Sequence, residues 1–240
     1  MKLGIMQPYF FPYLGYFDLI HGVDQWIVFD TPQYIRRGWV NRNRILHPTA
    51  AWQYIVAPVR KHGREAPIGD IRVVESGEWR ELIPRQLEHY RRRAPCFEAV
   101  AELVHDCLGS PEQSLARLNV QILARMCAVL GIPFAPRFFS EMNLPLGAVD
   151  GPGDWALRIA EALGADEYVN PPGGHDLFDA SKFAASGIQL TMQKPADFTY
   201  ECPGYLFQAS LSIVDVLMWN SVQQIRGYLE GRRRAERVEG

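Results

Sequence analysis

Residues 2–30 read KLGIMQPYFFPYLGYFDLIHGVDQWIVFD, and this stretch decides the fold. Its opening, residues 2–6, is mostly apolar and predicts a short buried strand. A loop with two prolines, five aromatic rings and one glycine follows over residues 7–16. A helix beginning near residue 17 and a second strand over 25–30 complete the unit. A strand, turn, helix and strand in this order place a nucleotide or another anionic ligand at the carboxyl end of a parallel sheet.

The rest of the chain alternates strands and helices, which favours an α/β fold. We predict a single α/β domain over residues 1–240, Rossmann-like, with a mainly parallel sheet flanked by helices and a helical subdomain at about 79–131. Further strands are predicted at 52–59, 68–74, 132–139, 167–170 and 188–192. Further helices are predicted at 79–93, 97–108, 112–130, 154–163, before 186 and at 211–229, with a frayed arginine tail at 232–234.

The composition excludes several classes of protein. A net charge of −2 argues against a general nucleic-acid binder, so any anion site must be local. The four cysteines and six histidines show no metal-ligand spacing and no disulfide framework. The amino terminus does not resemble a signal peptide, and no run of about 18 apolar residues occurs. We therefore expect a cytoplasmic protein without a membrane span, and the oligomeric state stays open.

A basic segment over residues 31–64 holds seven Lys or Arg residues and no Asp or Glu. Such a local excess attracts a phosphate or a carboxylate, which predicts a small anionic substrate. Arg42 and Arg44 would share one face of a strand and suit forked contacts to an oxyanion, with Asn43 and Tyr34 beside them. A solvated arginine-rich loop is the alternative interpretation.

The aromatic loop over residues 7–16 is the second half of the predicted site. Its rings can simply be core, but a loop with this many rings also tends to line a cavity. Polar tips would reach that cavity from Gln7, Tyr9, Tyr13 and Tyr16. Gly15 would let a ligand approach the backbone closely. We expect the loop and the basic segment to converge on one shared pocket.

Three residues are candidates for acid–base chemistry. Asp30 ends the second strand, and His175 follows a Pro-Pro-Gly-Gly loop after a predicted strand, so either is a candidate proton acceptor. Asp215 lies in an apolar helix, where a raised pKa would let it orient an amine or act as a base. A structural alternative is that Ser212 and Asp215 cap the start of that helix.

Two resemblances extend these expectations. The Tyr-Leu-Gly-Tyr string at 13–16 resembles the His-x-Gly-His turn of the nucleotidylyltransferase superfamily. Tyrosine replaces both histidines, and a tyrosine carries no positive charge near neutral pH, which counts against adenylyl or cytidylyl transfer. A fuller resemblance, to the WbqC-like family, rests on residues 5–17 and 39–45, then 163–168, 172–188 and 211–220.

The resemblance to the WbqC-like family implies a role in bacterial O-antigen or related polysaccharide biosynthesis. A glycine transferase activity has been suggested for that family, in which an amino acid is placed in amide linkage on a sugar. We therefore expect a transferase that joins a small amino or carboxylic acid to a nucleotide-linked sugar, with ATP or a coenzyme A thioester activating the donor. A nucleotidylyltransferase-like enzyme and a non-catalytic small-ligand binding protein remain alternatives.

Overall fold

The computed structural model describes residues 1–239, and it describes their side chains except those of His175 and residues 236–239. The strands and helices in chain order are β1 Lys2–Met6, α1 Leu14–Gly22, β2 Gln25–Val28, β3 Arg42–Leu46, β4 Trp52–Val56, α2 Glu78–Leu87, α3 Phe97–Leu108, α4 Leu115–Leu130, β5 Pro136–Phe138, α5 Asp154–Leu163, β6 Glu167–Asn170, α6 Ala180–Ala185, β7 Gln189–Met192, α7 Ile213–Trp219 and α8 Val222–Glu239. Short 3-10 helices cover Ile68–Asp70, Glu88–Tyr90, Phe139–Glu141 and Pro172–Leu177.

The larger sheet has five parallel strands in the order β5-β2-β1-β6-β7. The chain passes from β1 to β2 on one side, whereas β6 continues to β7 on the other side. The direction of winding therefore reverses between β1 and β6, and open α/β sheets bind ligands in the crevice outside the carboxyl ends of such strands. The predicted α/β fold with a mainly parallel sheet flanked by helices is confirmed, and its Rossmann-like character stays a prediction.

The two faces of the sheet pack against different helices, because successive side chains of a strand point to opposite faces. Leu3, Ile5 and Ile27 lie in a core shared with α5 and α6. Trp26 belongs to the larger core, to which the other six helices contribute. Gly4 is required beside it, because a Cβ atom at that position would lie 2.9 Å from the Trp26 ring.

A second sheet pairs β3 with β4 in antiparallel register, so that Arg44 lies opposite Tyr54. Helix α2 packs on β4, α7 packs on β3, and α3 contacts both of these helices. Helices α2, α3 and α4 lie within the predicted subdomain at about 79–131. Whether that region forms a separate subdomain stays a prediction.

The predicted strand over residues 68–74 is wrong. Its first part is the 3-10 helix Ile68–Asp70, and Arg72 and Val73 make only isolated bridges. The backbone N–H of Ile68 donates to the Pro32 carbonyl at 2.9 Å, and Gly69 donates to the Asp30 carbonyl at 2.8 Å. The loop after β2 therefore takes the hydrogen bonds that a neighbouring strand would need.

The predicted helix over residues 211–229 is also wrong, because it is two helices. The Asn220 backbone is extended, and its side-chain amide donates to the Val216 carbonyl at 2.8 Å. Ser221 Oγ then accepts from the Gln224 N–H at 3.3 Å, and Gln224 Oε1 accepts from the Ser221 N–H at 2.8 Å. This reciprocal capping box starts α8, which continues through residues 232–234, so the predicted frayed tail is wrong.

Several other boundaries differ from the prediction by a few residues. Helix α1 begins at Leu14 instead of near residue 17. Helix α4 begins at Leu115 instead of residue 112, because the Glu112 carboxylate accepts from the Ser114 N–H at 2.7 Å and forms a turn. The strands at the ends of the large sheet are shorter than predicted, with β5 at Pro136–Phe138 and β7 at Gln189–Met192.

Candidate functional site

A cavity of about 610 Å³ opens at the carboxyl edge of the large sheet, and we call it the site pocket. Its lining residues are Met6, Tyr9, Tyr13, Gly15, Trp39, Asn43, Arg44, Asn170, Pro171, Pro172, Gly173, Gly174, Gln193, Pro195, Ala196 and Ser210. The volume falls in the range of small-molecule sites, about 300–1,000 Å³.

The site pocket lies where the winding of the sheet reverses. Met6 ends β1, Asn170 ends β6, and Gln193 directly follows β7. Gly15 contributes from the first turn of α1. Ligands of open α/β sheets bind at this position. The aromatic loop and β3, which lie some thirty residues apart in the chain, both line the same pocket.

The aromatic loop is held in place through its backbone carbonyls. Asn119, which is fully buried, donates to the Pro8 carbonyl at 2.8 Å, and Asn43 donates to the Phe10 carbonyl at 3.1 Å. The Ser212 hydroxyl donates to the Phe11 carbonyl at 2.7 Å. A buried segment without regular secondary structure needs such partners for its polar backbone groups. The loop is therefore a rigid wall of the pocket.

Tyr9 and Tyr13 bring phenol groups to the site pocket. Neither hydroxyl has a hydrogen-bond partner among the residues that the structure describes. Burial raises the pKa of both phenols, so both hydroxyls stay protonated at neutral pH. Each can donate one hydrogen bond to a ligand and accept others from it.

Arg44 is the cation of the site pocket. Its guanidinium carbon lies 5.4 Å from the Trp39 ring centroid and 5.3 Å from that of Trp52, so the group sits against two indoles. Its Nη2 donates a long hydrogen bond of 3.5 Å to the Ser210 carbonyl, and its buried Nε has no partner in the described part of the chain. No described carboxylate pairs with it. Arg44 is therefore available to an anionic ligand.

Three amide side chains line the pocket, and two of them are fully engaged with the protein. Asn43 bonds the loop and accepts from the Arg44 N–H at 2.8 Å. Asn170 accepts from the Tyr168 hydroxyl at 2.8 Å and donates to the Pro171 carbonyl at 2.7 Å. The third amide, Gln193, is 7% exposed and donates towards α1.

Four of the predicted binding residues lie outside the lining of the pocket. Arg42 packs its guanidinium 4.0 Å above the Tyr54 ring and donates to the Arg37 carbonyl. Tyr34 is buried edge-on against His62. Tyr16 is fully buried and donates to the Gln7 carbonyl at 2.8 Å, which stabilises the aromatic loop. Gln7, the first residue of the loop, is half-buried.

Asp30 lies in a different cavity, of about 340 Å³, at the carboxyl ends of β2 and β5, which we call the Asp30 cleft. Its lining residues are Asp30, Thr31, Pro67, Gly69, Asp70, Arg72, Ser114, Ala116, Arg117, Phe138, Ser140 and Glu141. The Asp30 carboxylate is 4% exposed and accepts from the Ser140 N–H at 3.1 Å and the Ser140 hydroxyl at 2.6 Å. Arg117 in this cleft pairs with Glu141.

Asp215 is fully buried and joins three parts of the fold. Its carboxylate accepts from the Leu46 N–H at 3.0 Å, from the Tyr200 hydroxyl at 2.8 Å and from the Tyr90 hydroxyl. Burial raises its pKa, against these hydrogen bonds. Ser212 caps α7 by accepting from the Val214 N–H, as the structural alternative expects. The side chain of His175 lies outside the described residues, and its chain neighbour Gly174 lines the site pocket.

The titratable groups described in the site pocket are Arg44, Tyr9 and Tyr13, and none of its described lining residues carries a carboxylate. Across the described residues, no group of three or more His, Cys, Asp or Glu could hold a metal ion. Within the same part of the chain, no helix has the length and apolar character needed to cross a membrane. The site pocket can bind an anionic group of a ligand at Arg44 and neutral hydrogen-bonding groups at Tyr9 and Tyr13.

Several lining residues were not among the predicted binding residues, namely Trp39, Asn170, Gln193 and Ser210. Asn170 and Gln193 each stand at the carboxyl end of a predicted strand, a position that itself signals ligand contact in α/β sheets. Ser210 has a positive φ of 56°, which is uncommon for a residue other than glycine and often occurs near functional sites. No sequence signal separates it from other serines.

Comparisons with known proteins extend over nearly the whole chain. The model of the WbqC-like protein family matches residues 7–227. The uncharacterized protein Rv1507c of Mycobacterium tuberculosis is 30% identical over 225 residues, which cover 90% of this chain and 92% of that protein. No solved structure matches the chain. The aromatic loop, strands β3 and β4 and helix α7 all lie inside the matched region, and the chain belongs to the WbqC-like protein family.

Proposed function

We propose that the protein is a transferase of surface-polysaccharide or amino-sugar biosynthesis. It forms an amide between a small amino or carboxylic acid, such as glycine, and a nucleotide-linked sugar. Family membership supports the cellular context of this proposal, and the shape and chemistry of the site pocket support the ligand class. The protein acts in this scheme on a small anionic molecule.

The observation that carries the proposal is the polarity of the site pocket. A cation without a described carboxylate partner, Arg44, stands at one part of the wall, and the neutral hydroxyls of Tyr9 and Tyr13 stand at another. A nucleotide-linked sugar has the matching pattern, because its phosphates are anionic and its sugar is neutral or carries an amine. Arg44 would bind the phosphates of such a ligand, whereas Arg42 is held against Tyr54 outside the pocket.

The reaction needs an amine that attacks an activated acyl group. The amine lone pair forms the new C–N bond, the bond from the acyl carbon to the leaving group breaks, and the leaving group keeps that electron pair. The nitrogen loses one proton. The acyl donor is a coenzyme A thioester, or an acyl adenylate made with ATP. Arg44 binds and orients the sugar nucleotide against the wall that the aromatic loop forms.

We assign the proton acceptor to His175, from its position in the chain after Gly174. Histidine is the residue type whose side chain most readily exchanges a proton near neutral pH. Asp30 is the alternative acceptor, but it lies in the other cleft with both oxygens bonded to Ser140. Asp215 is more suited to a structural role, because three donors already satisfy its carboxylate.

The test is isothermal titration of UDP-glucose and UDP-glucosamine into the wild type and Arg44→Ala. Hydrogen bonds to a charged group contribute roughly 1.5–3 kcal/mol, so Arg44→Ala should weaken binding about 10- to 100-fold. Arg36→Ala, in the exposed part of the same basic segment, is the control and should bind like the wild type. Absence of binding by the wild type, or equal binding by Arg44→Ala, would reject the proposal.

Two alternatives make different predictions for the same pocket. A nucleotidylyltransferase-like enzyme is favoured by the location of the pocket beside the start of α1 at the reversal of the sheet, and it would release pyrophosphate from a nucleoside triphosphate. A non-catalytic binding protein is favoured by the lack of a carboxylate among the described lining residues. It would bind the same sugar nucleotides and turn over none of them.

A further inference from the structure

Gln193 has an amide group whose orientation is set by its partners. Its Nε2 donates to the Gly15 carbonyl at 3.1 Å and to Asp18 Oδ2 at 2.8 Å. A backbone carbonyl and an ionised carboxylate can only accept hydrogen bonds. The NH₂ end of Gln193 must therefore face α1, and both of its hydrogens have acceptors there.

Asp18 is in turn held by Arg232 of α8. The Arg232 Nε lies 2.8 Å from Asp18 Oδ2, and the side chains of the pair are 15% and 2% exposed respectively. Arg232 also donates to the carbonyls of Lys194 at 2.6 Å and Pro195 at 3.3 Å, in the segment that follows Gln193. The pair thus ties α1, α8 and the end of β7 together, which leaves the Gln193 amide no freedom to rotate.

The carbonyl oxygen of Gln193 is what remains for a ligand. No described residue donates to Oε1, although Gln193 is 7% exposed and lines the site pocket. Gln193 also forms part of the wall of a neighbouring groove beside Asp18 and Thr191. The Oε1 atom therefore offers its lone pairs to a ligand in the site pocket.

We propose that Gln193 selects ligands that present a hydrogen-bond donor, and that this donor is the neutral amine of the sugar substrate. The proposal rests on the proposed function and names the acceptor sugar as an amino sugar. An amine can donate one N–H to Gln193 Oε1 and keep its lone pair free for the acyl carbon. A protonated amine is disfavoured, because no carboxylate occurs among the described lining residues.

The other polar groups of the pocket are less selective. The hydroxyls of Tyr9 and Tyr13 can each donate or accept, so they tolerate ligands of either kind. The Oδ1 atoms of Asn43 and Asn170 each already accept one hydrogen bond, from the Arg44 N–H and the Tyr168 hydroxyl. Among the three amide side chains of the lining, Gln193 is the one whose oxygen has no described donor.

The test compares matched pairs of ligands. UDP-linked and dTDP-linked hexoses with an amine at carbon 2, 3 or 4 are titrated against the corresponding deoxy sugars, in which hydrogen replaces the amine. The wild type should prefer at least one amino sugar about tenfold, the size expected for one buried hydrogen bond. Gln193→Met keeps the length of the side chain and removes the acceptor, so the preference should fall to about one while deoxy-sugar binding stays the same.

Two further variants separate selection from folding. Thr191→Val changes a residue of β7 that does not line the site pocket. This variant should leave the preference for amino sugars intact. Asp18→Asn supplies an amide beside Gln193 and permits its rotation, so it should lower the preference without abolishing binding. An unchanged preference in Gln193→Met, with binding retained, overturns the role of Gln193 and leaves the proposed function standing. Absence of binding to every nucleotide sugar in the wild type overturns both.

Discussion

The site pocket and the Asp30 cleft both open at the carboxyl edge of the same parallel sheet. Arg44 in the site pocket and Asp30 in the cleft differ, however, in the partners that they have. In the Asp30 cleft, Ser140 bonds both oxygens of the carboxylate, and Arg117 pairs with Glu141. In the site pocket, Arg44 has no described carboxylate partner. Location at the carboxyl edge is therefore not sufficient to identify a ligand site, and the buried Nε of Arg44, which has no partner in the described part of the chain, distinguishes the site pocket.

The reason for this difference is the chain topology. Between β1 and β6 the connections diverge, so no crossing segment fills the space above their ends. Beside it, β2 and β5 are neighbours, and the chain after β5 supplies Ser140 directly over Asp30. Substitutions of Asp18, beside the site pocket, and of Asp30, in the other cleft, can test this comparison of the two cavities.

The largest effect is expected for Asp18, which supports the wall of the site pocket. Removing one partner of a buried ion pair costs about 3–5 kcal/mol, and the partial exposure of Arg232 places Asp18→Ala at about 3 kcal/mol. Urea denaturation measures this loss of unfolding free energy. The exposed pair of Asp106 with Arg125 is the control, and Asp106→Ala should cost less than about 1 kcal/mol. Equal losses in the two variants would contradict the buried character of the Asp18 pair.

A smaller loss of stability is expected in the Asp30 cleft. Asp30→Ala leaves the N–H and the hydroxyl of Ser140 without their acceptor, which should cost about 2 kcal/mol in urea denaturation. Binding of UDP-glucose should be unchanged, because Asp30 does not line the site pocket. A variant that is stable but no longer binds UDP-glucose would show that the two cavities act together.

The smallest free-energy change is expected from two glycines, one beside each cavity. In Gly15→Ala the new Cβ would lie 2.5 Å from the Tyr13 ring, which must then move within the site pocket. We expect about tenfold weaker binding of UDP-glucose, equivalent to roughly 1.4 kcal/mol. Alanine favours the helix more than glycine does, which offsets part of the cost of moving the ring.

Gly69→Ala is the matched variant for that experiment. Its new Cβ would lie 3.2 Å from Asp30 Oδ2, in the other cleft, so the affinity for UDP-glucose should equal that of the wild type. Titration calorimetry on both variants gives the comparison. Equal loss of affinity in the two would show that a general disturbance of the sheet, and not the displacement of Tyr13, causes the effect.

Much of the fold could be predicted from local patterns. The bounds of β1, α3, α5 and β6 agree with the predicted segments, because each of these elements is bounded by a clear change in the apolar pattern or by a stop residue. Gly164 shows this, since it ends α5 with a positive φ of 64°. The segment at 68–74 could not be predicted in this way, because its 3-10 helix packs against α4 and its backbone bonds the loops after β2 and β4 instead of a long strand.

The site was predictable in part. Tyr9, Tyr13, Gly15, Asn43 and Arg44 were singled out from residue type and local density, and all five line one pocket. Arg42 and Arg44 looked equivalent in the sequence. Strand β3 turns both to the same face, but only Arg44 reaches the pocket, because Tyr54 on the neighbouring strand packs against Arg42.

Local patterns in the sequence are sufficient to indicate the family, the α/β class and an aromatic loop followed by a basic segment, because these features depend on short-range pattern and composition. The hydrogen bond from Gln193 to Gly15, almost 180 residues earlier in the chain, depends on the tertiary structure. The physical reason is that the order of strands in a sheet is set by long-range packing. That order determines which strand ends lie side by side. It therefore determines which polar atoms have no hydrogen-bond partner in the protein and are available to a ligand.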